Sequence, residues 1–230
     1  MKIFNLFNTL KTVTIISLLS KSSFSFGMNK VQYQPLQWNY IQSPHFRTYL
    51  HQDQGDLPFL SNKMIEDAYT RLSKSFNFTH KDPIPLVIYG NPNLFTQTNI
   101  ITEILPEEVG GFTEVLKNRV AIPYNGSYNE LRHVLHHELV HAFQFGILFD
   151  QIGGNLFTSG VQVPLWFMEG LAEYLSSGWD IEADMFLLDQ AIHGEIPPPG
   201  PFLDGYMAYK GGQSFFHFLL FSILTPIASW

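Results

Sequence analysis

His137-Glu138-Leu139-Val140-His141 sets two imidazoles four residues apart, with a carboxylate beside the first. In a helix, positions i and i+4 share one face about a turn apart, so both rings can reach a single ion. Glu138 falls off the metal, next to where a metal-bound water would sit, and is placed to act as general base. With 9 His in the chain, chance yields this pattern only about 0.02 times. A catalytic zinc site also needs a third protein ligand and an open fourth position. The chain has 0 Cys, so that ligand must be a histidine or a carboxylate. Glu169 answers the requirement, because it lies in the apolar run Pro164-Leu165-Trp166-Phe167-Met168, where an unpaired carboxylate is costly. Glu173 follows one turn later on the same face and suits a hydrogen bond to the second nitrogen of a ligand imidazole. His133 and His136 share the helix of the pair but fall outside it, and His217 reads as a core-edge residue.

These residues need two helices to carry them. Ser127-Tyr128-Asn129-Glu130 is a capping box, and Leu131, Val134, Leu135 and Leu139 give the apolar contacts of a helix over roughly Tyr128–Phe149. Pro164 suits a first turn and Gly178 a C-terminal stop, which frames a second helix around Glu169. Upstream, residues 37–51 predict a strand broken at Pro44, residues 58–76 a helix, and Ile84 to Tyr89 a buried strand, together a βαβ unit. Residues 109–123 predict a hairpin that turns near Lys117-Asn118. The second half of the chain reads as mostly helical, with a rigid Pro197-Pro198-Pro199-Gly200-Pro201 loop. The expected fold class is α+β: a small twisted mixed sheet with an antiparallel edge hairpin, then a mainly helical half, with the metal at their junction.

The chain's 230 residues suffice for one good-sized domain, and a hydrophobic fraction of 45% against 14% charged can bury a core. A formal net charge of −7 argues against nucleic acid as a partner. Residues 1–27 carry Lys2, Lys11 and Lys21, no acid, and an apolar core Val13 to Leu19 followed by Ser23, Ser25 and Gly27. That is the pattern of a secretory signal peptide, with a core far short of the roughly 20 residues a spanning helix needs. The expectation is an exported protein, periplasmic or extracellular, whose domain spans residues 28–230. Residues 215–224 form a strongly apolar stretch followed by only Thr225–Trp230. The expectation there is an N-terminal part of a longer architecture, with a missing C-terminal domain or an envelope partner covering that surface.

The segments around His137, His141 and Glu169 resemble the gluzincin metallopeptidases. Trp166-Phe167-Met168-Glu169-Gly170-Leu171-Ala172 is similar to the Trp-x-x-Glu-Gly-x-Ala stretch of the aminopeptidase N family, and the Glu169/Glu173 spacing resembles thermolysin. A closer resemblance is to exported bacterial proteins with a peptidase MA-like domain ahead of Tol-type β-propeller repeats. It extends to Ser43-Pro44-His45-Phe46-Arg47-Thr48-Tyr49, Gly110-Gly111-Phe112-Thr113, Asn118-Arg119-Val120-Ala121-Ile122-Pro123 and Tyr209-Lys210-Gly211-Gly212-Gln213-Ser214-Phe215, and covers roughly residues 37–220. The chain departs in its longer His141-to-Glu169 connection, which implies an extra loop over residues 151–163, and in lacking propeller repeats.

The resemblance implies a zincin-like fold and Zn2+ held by His137, His141 and Glu169. Glu138 would be the general base on a zinc-bound water, and peptide-bond hydrolysis the reaction. Tyr209 matches the Tyr-x-x-Gly of aminopeptidase N, whose tyrosine donates to the oxyanion, and Tyr206 is the alternative for that role. Gly111 to Val115 is the edge on which an extended peptide would add as a strand, with Glu114 as a candidate for a substrate amine. The rival readings are a non-catalytic envelope interaction module retaining a zincin scaffold, and a zinc hydrolase of non-peptide amides.

Overall fold

The computed structural model describes residues 30–224 apart from 34, 52–53, 102–108, 153–162, 199 and 201–202, and the side chains of 222–224. The expected leader, most of the expected extra loop and the last six residues lie outside the described set. Strand β1 (Trp38–Gln42) pairs antiparallel with β2 (Phe46–His51), and the Ser43 N–H donates to Phe46 O to close the turn at 2.9 Å. The break foreseen at Pro44 is thus a hairpin reversal rather than a kink in one strand. Phe46, Thr48 and Leu50 alternate inward from β2, while β1 stays exposed along its length.

Helix α1 (Leu57–Phe76) is the crossover from β2 to the parallel strand β3 (Ile84–Tyr89), as the βαβ reading required. It begins with Pro58 in the first turn and ends at Asn77 in the left-handed region, φ 48°. The N–H groups of Asn77 and Phe78 donate back to Lys74 O and Ser73 O, which satisfies carbonyls the helix end would leave unpaired. Leu57, Ile65, Ala68, Tyr69 and Leu72 make its buried stripe. A short helix α2 (Pro92–Phe95) follows β3. Strand β4 (Phe112–Glu114) turns through residues 115–118 into β5 (Arg119–Pro123), with Asn118 at φ 47°. Strand β5 runs parallel to β3 and antiparallel to β4, so the sheet order is β1-β2-β3-β5-β4 and β4 lies at its edge.

Helix α3 (Tyr128–Ile152) starts where the capping box predicted: the Glu130 N–H donates to Ser127 Oγ at 3.3 Å. The reciprocal half differs, since the Glu130 carboxylate accepts from the Asn125 amide instead. Leu131, Leu135, Leu139, Ala142 and Phe143 face the sheet and α1 in one continuous core. His137, His141 and Gln144 are buried on another side, towards α4 (Leu165–Ser177). Helices α5 (Ile181–His193) and α6 (Gly205–Leu224) complete the described chain; α6 packs along α4 and touches α5. Helix α5 had no counterpart in the sequence reading beyond a mostly helical half, and the apolar 215–224 segment is the end of the longer α6. Among the described residues, no helix is long and apolar enough to cross a membrane. The architecture among the described residues is a five-stranded mixed sheet with six helices, an α+β fold.

Candidate metal centre

Three donor atoms converge at the interface of α3 and α4. His137 Nε2 and His141 Nε2 are 3.1 Å apart, and Glu169 Oε2 lies 3.1 Å from the first and 3.2 Å from the second. Ligands about 2.0–2.1 Å from a tetrahedral zinc are about 3.3–3.4 Å from one another, so this near-equilateral triangle fits three corners of that tetrahedron. The donor chemistry also fits: two imidazole nitrogens and one carboxylate oxygen, gathered within one small cluster. Two imidazoles need a fixed tautomer to present both Nε2 atoms, and each Nδ1 has a buried acceptor. Glu173 Oε1 sits 3.3 Å from His137 Nδ1, and Gln144 Oε1 2.8 Å from His141 Nδ1. Gln144 is itself held by donating to Met168 O at 3.0 Å, which ties the His141 ring to the start of α4.

The carboxylates set the electrostatics. Burial alone would depress the His137 pKa, but Glu169, Glu173 and Glu138 outweigh it and raise it to about 10. Burial would raise Glu169, yet its hydrogen bonds to His137 and His141 bring it down to about 2. Glu173 is likewise held well below the usual carboxylate range against its burial, by hydrogen bonds to His133 and His137. Metal-free, the pocket therefore holds a proton among ionised acids, a charge that a divalent cation can replace.

Lys210 of α6 supports this arrangement from behind. It is 3% exposed, and its ammonium lies 3.4 Å from Glu173 Oε2, 3.5 Å from Asp180 and 4.0 Å from Glu182. Asp180 also caps α5 by accepting from the Ala183 N–H at 2.8 Å, and it accepts from buried Gln213 at 3.0 Å. His133, His137 and Glu173 form a second group of metal-ligand types. The Lys210 ammonium on Glu173 repels a cation there, so this group supports the first set rather than forming a second centre.

Glu138 is 6% exposed, beside His137. The Thr113 hydroxyl of β4 lies 2.7 Å from Glu138 Oε2 and 2.9 Å from Glu138 O, so it can donate its single proton to either. Gly111 makes this approach possible. A Cβ there would meet Val134 Cγ1 at 3.0 Å and Glu138 Cγ at 3.2 Å, so any side chain would press on the base. A cleft of about 550 Å³, lined by Gly110, Val134, His133 and Phe95 among others, opens beside this strand.

The Tyr209 ring stacks on His137 at 5.9 Å and 18°. Burial and the carboxylate of Glu169, to which its hydroxyl bonds, push its pKa up, so it stays a proton donor at neutral pH. Tyr206 is committed elsewhere: its hydroxyl donates to Glu182 Oε1 at 3.1 Å, its ring packs on Phe186, and burial with Glu182 pushes its pKa to about 12. What delivers Tyr209 is a close crossing of α4 and α6. A Cβ on Gly170 would come within 2.3 Å of the Gly212 backbone, and one on Gly212 within 2.2 Å of Trp166 O.

The structure therefore brings together His137, Glu138, His141, Glu169, Glu173 and Tyr209, all singled out in the sequence. Glu114 is paired with its cross-strand partner Arg119, whose guanidinium reaches Glu114 Oε2 at 2.6 Å. His133, set aside in the sequence, lies 3.5 Å from Glu173. Gln144, Thr113 and Lys210 were missed. Gln144 falls three residues after His141 on the same face, and Lys210 interrupts an apolar helix as Glu169 does, so both carried a readable signal. Nothing in a three-residue strand announces that Thr113 faces α3. No family model matches the chain, and no curated protein matches it.

Proposed function

We propose that the chain is a zinc-dependent peptide hydrolase of the zincin type, exported by its N-terminal leader. The observation that carries the reading is the triangle of His137 Nε2, His141 Nε2 and Glu169 Oε2, with Glu138 alongside on the same helix. Bound by these three atoms, zinc supplies a Lewis acid and an activated water at neutral pH. Glu138 accepts the proton of the attacking water and passes it to the departing amine. Thr113 holds one oxygen of that carboxylate, which leaves the other for the proton. Tyr209 donates a hydrogen bond to the carbonyl oxygen as negative charge develops on it. Strand β4, the last of the sheet among the described residues, lies next to Glu138, so an extended peptide added to its edge would pass its backbone across the base.

Metal analysis joined to cleavage of a peptide library with product sequencing tests the reading. One zinc per chain with turnover is the expected result, and Glu169→Ala should lose most of the metal. Stoichiometric zinc without turnover would favour the non-catalytic scaffold, and turnover of other amides alone would move the substrate class. A chain that binds no zinc would discard the proposal.

A further inference from the structure

Helix α5 carries two apolar faces, and only one has a partner among the described residues. Ala183 is buried and Phe186 packs on Tyr206 of α6. The other face presents Ile181, Met185, Leu188 and Ile192, which are 77%, 66%, 59% and 73% exposed. Their spacing is four, three and four residues, the alternation of a and d positions along a coiled-coil seam. A helix that needed only its contact with α6 would place polar residues at these four positions.

The flanks of the seam say what fits it. Glu182, Asp184 and Asp189 occupy the adjoining positions, where coiled coils select partners by charge. The surrounding stretch, residues 178–209, also contains Asp180, Glu195 and Asp204 and no Lys or Arg. A second copy of α5 would set acid against acid along the seam, and an anionic membrane would repel the same acids. We infer that the Ile181–Ile192 face of α5 is a docking site for a helix of a partner protein. That helix carries an apolar a/d seam flanked by Lys or Arg. The inference is independent of the chemistry at His137.

The probe is a fluorescein-labelled synthetic helix about three heptads long, with Leu and Ile at a and d and Lys at the flanks. A twin with Glu for Lys and a scrambled peptide serve as controls, and binding to the full chain is read by fluorescence polarisation. The Lys helix should bind at least about tenfold tighter than either control, and weaken as salt rises from about 50 to about 300 mM. Met185→Glu with Leu188→Glu should abolish binding while circular dichroism stays unchanged, since both side chains are solvent-facing. Asp184→Lys with Asp189→Lys should reverse the preference towards the Glu twin. Equal affinity for the Lys and Glu helices, or no binding of the Lys helix, overturns the inference. So does self-association through Leu188 in sedimentation, or uptake by anionic vesicles in place of the peptide.

Discussion

In the sheet half, Phe46, Ile65, Leu86, Ile88, Ile122, Leu135 and Leu139 are wholly shielded, and α1 and α3 close over them as one apolar core. In the helical half, Glu173, Lys210 and Gln213 are shielded alongside Ala172, Ala183, Ala208 and Phe216, while Ile181, Met185, Ile192 and Phe218 face solvent. The first half is held by apolar burial, which is non-directional and tolerant of small shifts. The second adds to its apolar packing a set of buried, directional polar contacts, for which a lost partner leaves a charge uncompensated. The candidate centre straddles the two, with His137 and His141 rooted in the apolar core through α3 and Glu169 and Tyr209 supplied by the polar half. The same residues that would bind a metal thus also join the halves. A bound ion would act as a cross-link between them.

The largest expected effect comes from the rooted side. Glu138→Gln removes the proton acceptor with almost no change of shape and should lower turnover on the order of 10²–10⁴-fold. Zinc content and thermal stability should stay at the wild-type level, because neither half loses a packing contact. A variant that keeps its rate with normal zinc would take Glu138 out of the reaction.

The corresponding change on the polar side is Tyr209→Phe. It keeps the ring that stacks on His137 and deletes only the hydroxyl, so kcat should fall about 10²–10³-fold with KM little changed. Tyr206→Phe loses only its bond to Glu182 and should leave kcat unaltered. If Tyr209→Phe kept its rate, the helical half would contribute Glu169 alone, with no hydrogen bond to the carbonyl oxygen.

Lys210→Met separates support from ligation. Lys210 fixes one oxygen of Glu173 while the other faces His137 Nδ1, so its loss should weaken zinc binding by about 10–100-fold, the usual cost of removing an outer-shell partner. In a Glu173→Gln background the same substitution should add little, because the path through Glu173 is already cut. An undiminished second effect would mean that Lys210 works through Asp180 and α5 instead.

How readable each half was follows from the same contrast. Apolar periodicity marks α1, β3, β5 and α3, and Pro58, Ser127 and Gly178 punctuate the helices, so the βαβ unit and the edge hairpin emerged from local rules. The candidate ligand residues were legible because the histidine pair has a rare spacing and Glu169 stands out in an apolar run. Helix α5 escaped because its exposed seam and acidic flanks mimic neither a core helix nor a loop. Lys210, Thr113 and the Gly170–Gly212 crossing depend on how α6 and β4 meet α3 and α4, a long-range matter that no window of sequence contains. The Arg119 pairing of Glu114 was not legible, because a carboxylate on an edge strand shows its cross-strand neighbour only once the register is known.

The mildest effect for a single step of one pH unit is a dependence on pH that the two halves should not share. Zinc binds the neutral imidazole, whereas the carboxylates around His137 raise its pKa from 6.5 to about 10 in the metal-free pocket. Binding must therefore expel about one proton, and affinity should rise about tenfold per pH unit between 6.5 and 9. Glu169, at about 2, stays ionised throughout that range and adds no slope of its own. Stability of the metal-free chain should run the other way. A group with a raised folded pKa contributes fully below its unfolded value of 6.5, and that contribution disappears as pH climbs towards 10. The loss should fall on α4 to α6, because the pairing that His137 gives up is made to Glu169 and Glu173 of α4, while the wholly shielded residues of the sheet half are apolar or, at Thr48, Ser61 and Thr98, non-titrating. Competition against a chelator across this range reads the first trend, and amide exchange of the chelated chain at pH-corrected rates reads the second. A zinc affinity that stays flat from pH 6.5 to 9 would mean that the pocket holds no proton for the metal to displace. Alkaline loosening spread evenly over β3 and α1 would mean that the two halves open as one unit.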